Sequence, residues 1–216
     1  MIVAIASNDV RAIKTLLSVN LAVLRARSGR KICLIDSDPR EGAYAWSCER
    51  RSVRQWPTIP GRAPSSRVFD HALQQLGPDY ADLLINTGAH DRHETLSALI
   101  AARVVVVPIT VDHADVDRDY PLIARLNAAR MFNPHLKVLF VLVAGDPALT
   151  AAPSAAQLAA VRVYVAHVMS ATLAETVVHV HGEHDYGRGR CICDAETCDP
   201  EAAAEIHSLY REIFVH

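Results

Sequence analysis

The stretch Met1–Arg40, MIVAIASNDVRAIKTLLSVNLAVLRARSGRKICLIDSDPR, decides how the rest of the chain is read. An apolar run, Ile2–Ala6, leads into the polar residues Ser7, Asn8 and Asp9. An apolar-periodic segment closed by Gly29 follows, and a second apolar run, Lys31–Ile35, ends in Asp36-Ser37-Asp38-Pro39. Strand, loop, helix, strand and acidic turn come in the order that opens a nucleotide-binding α/β domain. Lys14 and Thr15 stand where such a domain keeps its phosphate lysine and its magnesium hydroxyl. The loop before them contains no glycine.

Outward from this block the alternation continues. Apolar runs recur at Leu83–Asn86, Val104–Ile109, Lys137–Val143 and Thr176–Val180; being continuous rather than alternating, they suit strands covered on both faces. Between them helices are predicted over Ala12–Ser28, Ser66–Leu76, His93–Ala102, Asp117–Met131, Pro153–Ala171 and Pro200–Phe214, with a short one near Ala43–Arg50 inside the irregular stretch Arg40–Ser65. Gly29 reads as a C-terminal helix cap, and Asp199-Pro200-Glu201 as a helix start. The expectation is a single-domain, doubly wound, mostly parallel sheet spanning residues 1–216, with ligand sites at the carboxyl ends of the strands.

Composition narrows the function classes. The chain has 216 residues, half of them apolar, with 22 basic and 24 acidic side chains. Such a length can bury one substantial core, and the near-cancelling charge gives no global signature of a nucleic-acid or membrane binder. No apolar run is long enough to span a bilayer, and Asp9 and Arg11 interrupt the N-terminal segment before a secretion signal could form, so a cytoplasmic protein with no membrane partner is expected. The cysteine count is five, an odd number, and Cys33 and Cys48 lie far from the rest; reduced thiols are expected.

The frame Met1–Ser7, Lys14-Thr15, Val19–Ala22, Arg30-Lys31, Leu34–Pro39 and Ala45-Trp46 resembles the ParA/MinD family of deviant-Walker P-loop ATPases, particularly the short plasmid-partition ParA type. Tyr80–Thr87 is similar to its switch II strand, Val107–Thr110 to its next strand end, and Gly189–Ile192 with Ala202–Ile213 to its C-terminal glycine turn and last helix. By this resemblance Lys14 would contact the β and γ phosphates, Thr15 would ligate Mg²⁺, Asp38 and Asn86 would line the site, and Asp36 would orient the attacking water. The resemblance also implies a homodimer that sandwiches nucleotide, binds DNA non-specifically and engages a ParB-like or other protein partner.

The departures from that pattern all point one way. Where the family loop has glycines, this chain has Val10, Arg11 and Ile13, two of them β-branched and poorly suited to positive φ. The signature lysine falls at Asp9, an anion facing the place of a polyanion. The switch II aspartate falls at Asn86. We therefore expect a degenerate Walker A motif with no or only weak Mg-ATP binding and lost hydrolysis, and a dimer interface in which Asp9 and Arg11 pair across subunits without nucleotide. Lys14, Thr15, Asp36 and Asp38 can equally persist for structure, Lys14 by pairing with Asp36 and Asp38-Pro39 as a turn. Arg11 leaves a slow ATPase open, because a guanidinium can bind phosphate without a glycine cradle. A regulatory pseudo-ATPase that binds a protein is the third reading.

Two further groups stand out. His179, His181 and His184 precede Cys191, Cys193 and Cys198, residue types that suit zinc at a spacing that matches no standard finger, so zinc is not expected. Candidate DNA contacts are Arg118, Arg125 and Arg130 on one predicted helix, with Lys137 beyond it, and Arg188 and Arg190 in a glycine turn; Arg50-Arg51 with Arg54 is a weaker set. Each can also be an ordinary solvated basic residue.

Overall fold

The computed structural model describes residues 1–8, 13–89, 92–111, 115–145, 152–180, 187–194 and 199–215. Among the described residues seven strands form one sheet: β1 (Ile2–Ile5), β2 (Ile32–Asp36), β3 (Gly61–Arg62), β4 (Asp82–Asn86), β5 (Val104–Ile109), β6 (Lys137–Ala144) and β7 (Ala171–His179). Their order is β3-β2-β4-β1-β5-β6-β7, and every described neighbour pair is parallel. Among the described residues seven α-helices cover it: α1 (Ile13–Arg27), α2 (Gly42–Ser52), α3 (Phe69–Leu76), α4 (His93–Ala101), α5 (Val116–Phe132), α6 (Ala155–Val165) and α7 (Pro200–Phe214).

The apolar runs divide their side chains between two cores, as strands buried on both faces must. Val3 and Ile5 of β1 join the core beneath α1, α2 and α7, while Ala4 and Ala6 join the one beneath α3, α4, α5 and α6. The helix ends follow from local chemistry. Gly29 takes φ +81° after α1, the left-handed conformation expected of a cap. Asp199 accepts from the amides of Glu201 and Ala202 at the start of α7, and Asp115 does the same for Asp117 and Arg118 at the start of α5. Among the described residues no helix is long and apolar enough to cross a membrane.

The structure corrects the predicted elements at two places. The helix expected over Pro153–Ala171 stops at Val165, and β7 begins at Ala171 rather than Thr176. The reason is tertiary: Asn127 of α5 donates to His167 O at 3.0 Å and accepts from Met169 N at 2.8 Å, holding a turn in which Ser170 takes φ +58°. The second is β3, whose two residues pair with Leu34 and Ile35 at the sheet edge and were not foreseen within Arg40–Ser65.

Candidate functional site

β2 and β4 are neighbours, and their last residues, Asp36 and Asn86, are register partners. Continuous burial brings both to the carboxyl edge of the sheet with almost no solvent contact: Asp36 is 2% exposed and Asn86 0%. Each Asp36 oxygen accepts two hydrogen bonds. Oδ1 takes the Asp38 amide at 3.1 Å and Asn86 Nδ2 at 3.0 Å; Oδ2 takes the amides of Ala43 at 2.8 Å and Tyr44 at 2.9 Å. The last two belong to the first turn of α2, whose orphan N–H groups and positive dipole end favour a carboxylate. Burial pushes the Asp36 carboxyl up from its ordinary value, and the four donors only partly offset it.

Asn86 passes the network on to α1, where Ser18 Oγ donates to its Oδ1 at 3.3 Å. Asp38 is 6% exposed and holds Arg40 bidentately, Nε at 3.1 Å and Nη2 at 3.0 Å. Burial pushes the Asp38 carboxyl up, but the Arg40 hydrogen bonds and charge, aided by the Lys14 charge, hold it below the usual range. Lys14 is 1% exposed. Lys14 acts through its charge on Asp38, while the four hydrogen-bond donors of Asp36 are electrically neutral. Thr15 is half-buried, its Oγ1 lying 3.7 Å from where a Cβ on Gly42 would stand. The fold therefore gathers Lys14, Thr15, Asp36, Asp38 and Asn86. Asp9 and Arg11 lie outside the described residues.

A hard divalent cation takes carboxylate and hydroxyl oxygens as ligands. Here both Asp36 oxygens are already engaged by N–H donors, and Asn86 turns its amide NH₂ toward the carboxylate. Among the described residues this donor set is arranged for hydrogen bonding, and it does not fit Mg²⁺ as it stands. Two carboxylates at this separation would repel; an amide beside a carboxylate is a good hydrogen bond.

The other candidates are scattered. Arg118 is exposed on α5. Arg125 donates from Nη2 to Asn8 Oδ1 at 3.4 Å, and Asn8 donates to Asp119 at 3.2 Å, which ties the loop after β1 to α5. Arg130 donates to Ser170 Oγ at 3.0 Å. Arg188 and Arg190 lie on the opposite face of the sheet, against α2: Arg188 is exposed with φ +58°, and the Arg190 carbonyl accepts from Trp46 Nε1 at 2.7 Å. The structure does not bring the two basic groups together. Arg50 is fully buried, which removes it from the DNA-contact candidates. It forks onto Asp194 at 2.7 and 3.0 Å and donates to Gly189 O at 2.7 Å and Pro57 O at 2.7 Å. Asp194, also fully buried, accepts from Arg27 at 2.8 Å and from the Cys191 amide at 3.0 Å.

Among the metal candidates, His181 is outside the described residues and His179 pairs through Nδ1 with Glu205 at 2.6 Å. Cys191 and Cys193 are buried in the apolar core with Ile192, where burial pushes the Cys191 thiol up. Among the described residues there is no group of three or more His, Cys, Asp or Glu side chains able to hold a metal, and the described cysteines form no disulfide. Ser18, Arg27 and Asp194 went unnoticed in the sequence. Ser18 had one weak signal, a lone hydroxyl within the apolar run Leu16–Leu24.

No family model matches the chain, and no curated protein matches it significantly. Solved structures do. MinD cell division protein of Aquifex aeolicus is 15% identical over 100% of this chain and 98% of its own, with a TM-score of 0.67. A plasmid partition protein from Borrelia burgdorferi is 14% identical over 99% and 96%, with a TM-score of 0.64. Cobyrinic acid a,c-diamide synthase from Mycobacterium smegmatis, solved with an ATP analog and magnesium, is 16% identical over 99% and 95%, with a TM-score of 0.66. At these identities the likeness is one of fold: the chain has the fold of the ParA/MinD-type P-loop ATPases.

Proposed function

We propose that this chain is a ParA-like partition protein of a plasmid or mobile element whose nucleotide site is eroded, acting as a dimeric, DNA-associated scaffold that binds nucleotide weakly or not at all. The observation that carries this reading is the Asn86–Asp36 hydrogen bond at 3.0 Å, together with the two N–H donors on each Asp36 oxygen. A water-orienting carboxylate needs a free lone pair aimed at the reacting centre, and a magnesium site needs unshared oxygens. Asp36 in this arrangement serves to fasten β2, β4 and α2 to one another. The substitutions at Asp9, Val10 and Ile13 act in the same direction. Exposed Arg118 and Arg188 are the DNA-facing residues of the scaffold, and a dimer would present each of them twice.

Calorimetry with ATP and with ADP, each with Mg²⁺, tests the reading. The expected outcome is no measurable heat of binding at nucleotide levels where an intact P-loop saturates, with light scattering showing a dimer whether or not nucleotide is added. Tight binding, or a monomer that dimerises only with ATP, would overturn it. One observation favours a second reading, a slow ATPase using Arg11, Lys14 and Thr15. Lys14 is kept buried beside Asp38, as a phosphate lysine would be. That reading requires Mg-ATP to raise the melting temperature and Lys14→Ala to abolish the rise.

A further inference from the structure

The amino ends of β5, β6 and β7 lie at the opposite edge of the sheet from Asp36 and Asn86, and there the surface opens into a groove of about 920 Å³. Four cationic side chains line it: Arg103 just before β5, Arg130 near the end of α5, Lys137 at the start of β6 and Arg211 near the end of α7. Among the described residues none of the four is paired with a carboxylate. Arg103 donates to a carbonyl, Arg130 to a carbonyl and a hydroxyl, and Arg211 to the Ser208 hydroxyl. Two carboxylates face them, Glu175 and Glu212, and Glu212 is committed to the backbone amides of Glu175 and Thr176 at 3.0 and 2.9 Å.

Beside these charges stands apolar surface. Of the residues that line the groove, Val215 is 60% exposed, Pro134 is exposed, and Leu139 and Leu173 are half-buried. Apolar lining left open to solvent in a groove marks a binding surface. The chemistry of the occupant must satisfy both features.

We propose that this groove is a docking site for an acidic amphipathic segment of a partner protein, its carboxylates on Arg103, Arg130, Lys137 and Arg211 and its apolar face on Pro134, Leu139, Leu173 and Val215. A nucleic-acid duplex answers the charges only: its phosphate backbone has no apolar face to cover Leu173 and Val215. A second copy of this chain, docked through the same patch about a two-fold axis, would set cations against cations. An acidic segment with aromatic or aliphatic residues meets charge with opposite charge and covers the exposed apolar atoms. The groove lies away from the nucleotide edge, so the inference stands apart from the state of that site.

The test uses the full chain and a labelled synthetic peptide of interspersed Glu and Leu/Phe residues, read by fluorescence anisotropy. Its Gln-for-Glu counterpart, a short mixed-sequence DNA duplex and phosphatidylglycerol vesicles complete the set of probes. The acidic peptide is expected to bind, to weaken with added salt, and to lose about tenfold in affinity on Lys137→Glu with Arg211→Glu. Both residues are exposed, so the variant should keep the parent melting curve. Arg118→Glu, at the far end of α5, should leave peptide binding unchanged. Equal binding of the Gln peptide, stronger binding of the duplex or the vesicles through Lys137 and Arg211, or peptide binding indifferent to the double variant in a folded protein would each overturn the proposal.

Discussion

Asp36 and Asp194 are both acidic side chains cut off from solvent, yet their surroundings drive them in opposite directions. Both feel desolvation first, and both accept several hydrogen bonds. The partners differ in charge. Asp194 faces the guanidiniums of Arg50 and Arg27, so its carboxyl is held below the usual range. Asp36 is met by three backbone amides and the Asn86 side chain, all neutral, and its carboxyl rises. Dipoles can satisfy the lone pairs of a buried carboxylate without offsetting its charge; a guanidinium does both. One region is held by opposite charges, and the other, at the carboxyl edge of the sheet, by hydrogen-bonding dipoles.

The sharpest way to break this contrast is Asp194→Asn. It strips the counter-charge from fully buried Arg50 and should cost about 3–5 kcal/mol of unfolding free energy in urea titrations. The sign of the pH dependence follows from the direction of the shift. A folded-state value below the ordinary ~3.9 means that Asp194 contributes stability above that pH and loses it as pH falls through the folded value. The gap between parent and variant should therefore hold level above about pH 5 and close in stronger acid. Asp36 runs the other way: its raised value means the folded chain binds that proton more tightly than the unfolded chain, so its contribution weakens as pH rises from ~3.9 through the folded value. A gap under about 1 kcal/mol at neutral pH would place Asp194 among the dispensable surface pairs.

Gly189→Ala probes the same region through the backbone. Gly189 takes φ +67°, and a Cβ there would stand 2.3 Å from the backbone nitrogen and Cα of Arg50. Left-handed strain plus that collision should cost about 3 kcal/mol, read as a lowered urea midpoint. An unchanged midpoint would mean that the turn at Gly187–Gly189 yields without disturbing Arg50.

These two regions were legible in the sequence to different degrees. Lys14, Thr15, Asp36, Asp38 and Asn86 were all picked out, because each sits at the end or the start of an element whose periodicity is plain, and a parallel sheet delivers such positions to one edge. Six of the seven strands were equally visible, since runs such as Val104–Ile109 are buried on both faces. Arg50 was misread as a surface cation. Its partner lies 144 residues away, and an Arg-Arg pair within a polar helix carries no local mark of burial. The end of α6 was misplaced for a like reason: its alanines favour the helix, and what ends it is an asparagine on another helix.

The contrast can be turned around at the nucleotide edge with Asn86→Asp. The substitution changes one atom in place and sets two carboxylates where Asn86 Nδ2 now lies 3.0 Å from Asp36 Oδ1. Both are buried, so the pair must share a proton or take up a cation, as paired carboxylates do. Without a cation the variant should lose about 2 kcal/mol at neutral pH, and more of that loss should return as the pH is lowered and one carboxyl is protonated. Adding Mg²⁺ should raise the melting temperature of the variant and leave the parent unchanged, because only the variant offers a second anionic oxygen to a hard ion. If Mg²⁺ stabilises the parent as much as the variant, then the amide is no barrier to the ion, and Asp36 belongs with working carboxylates rather than with Asp194.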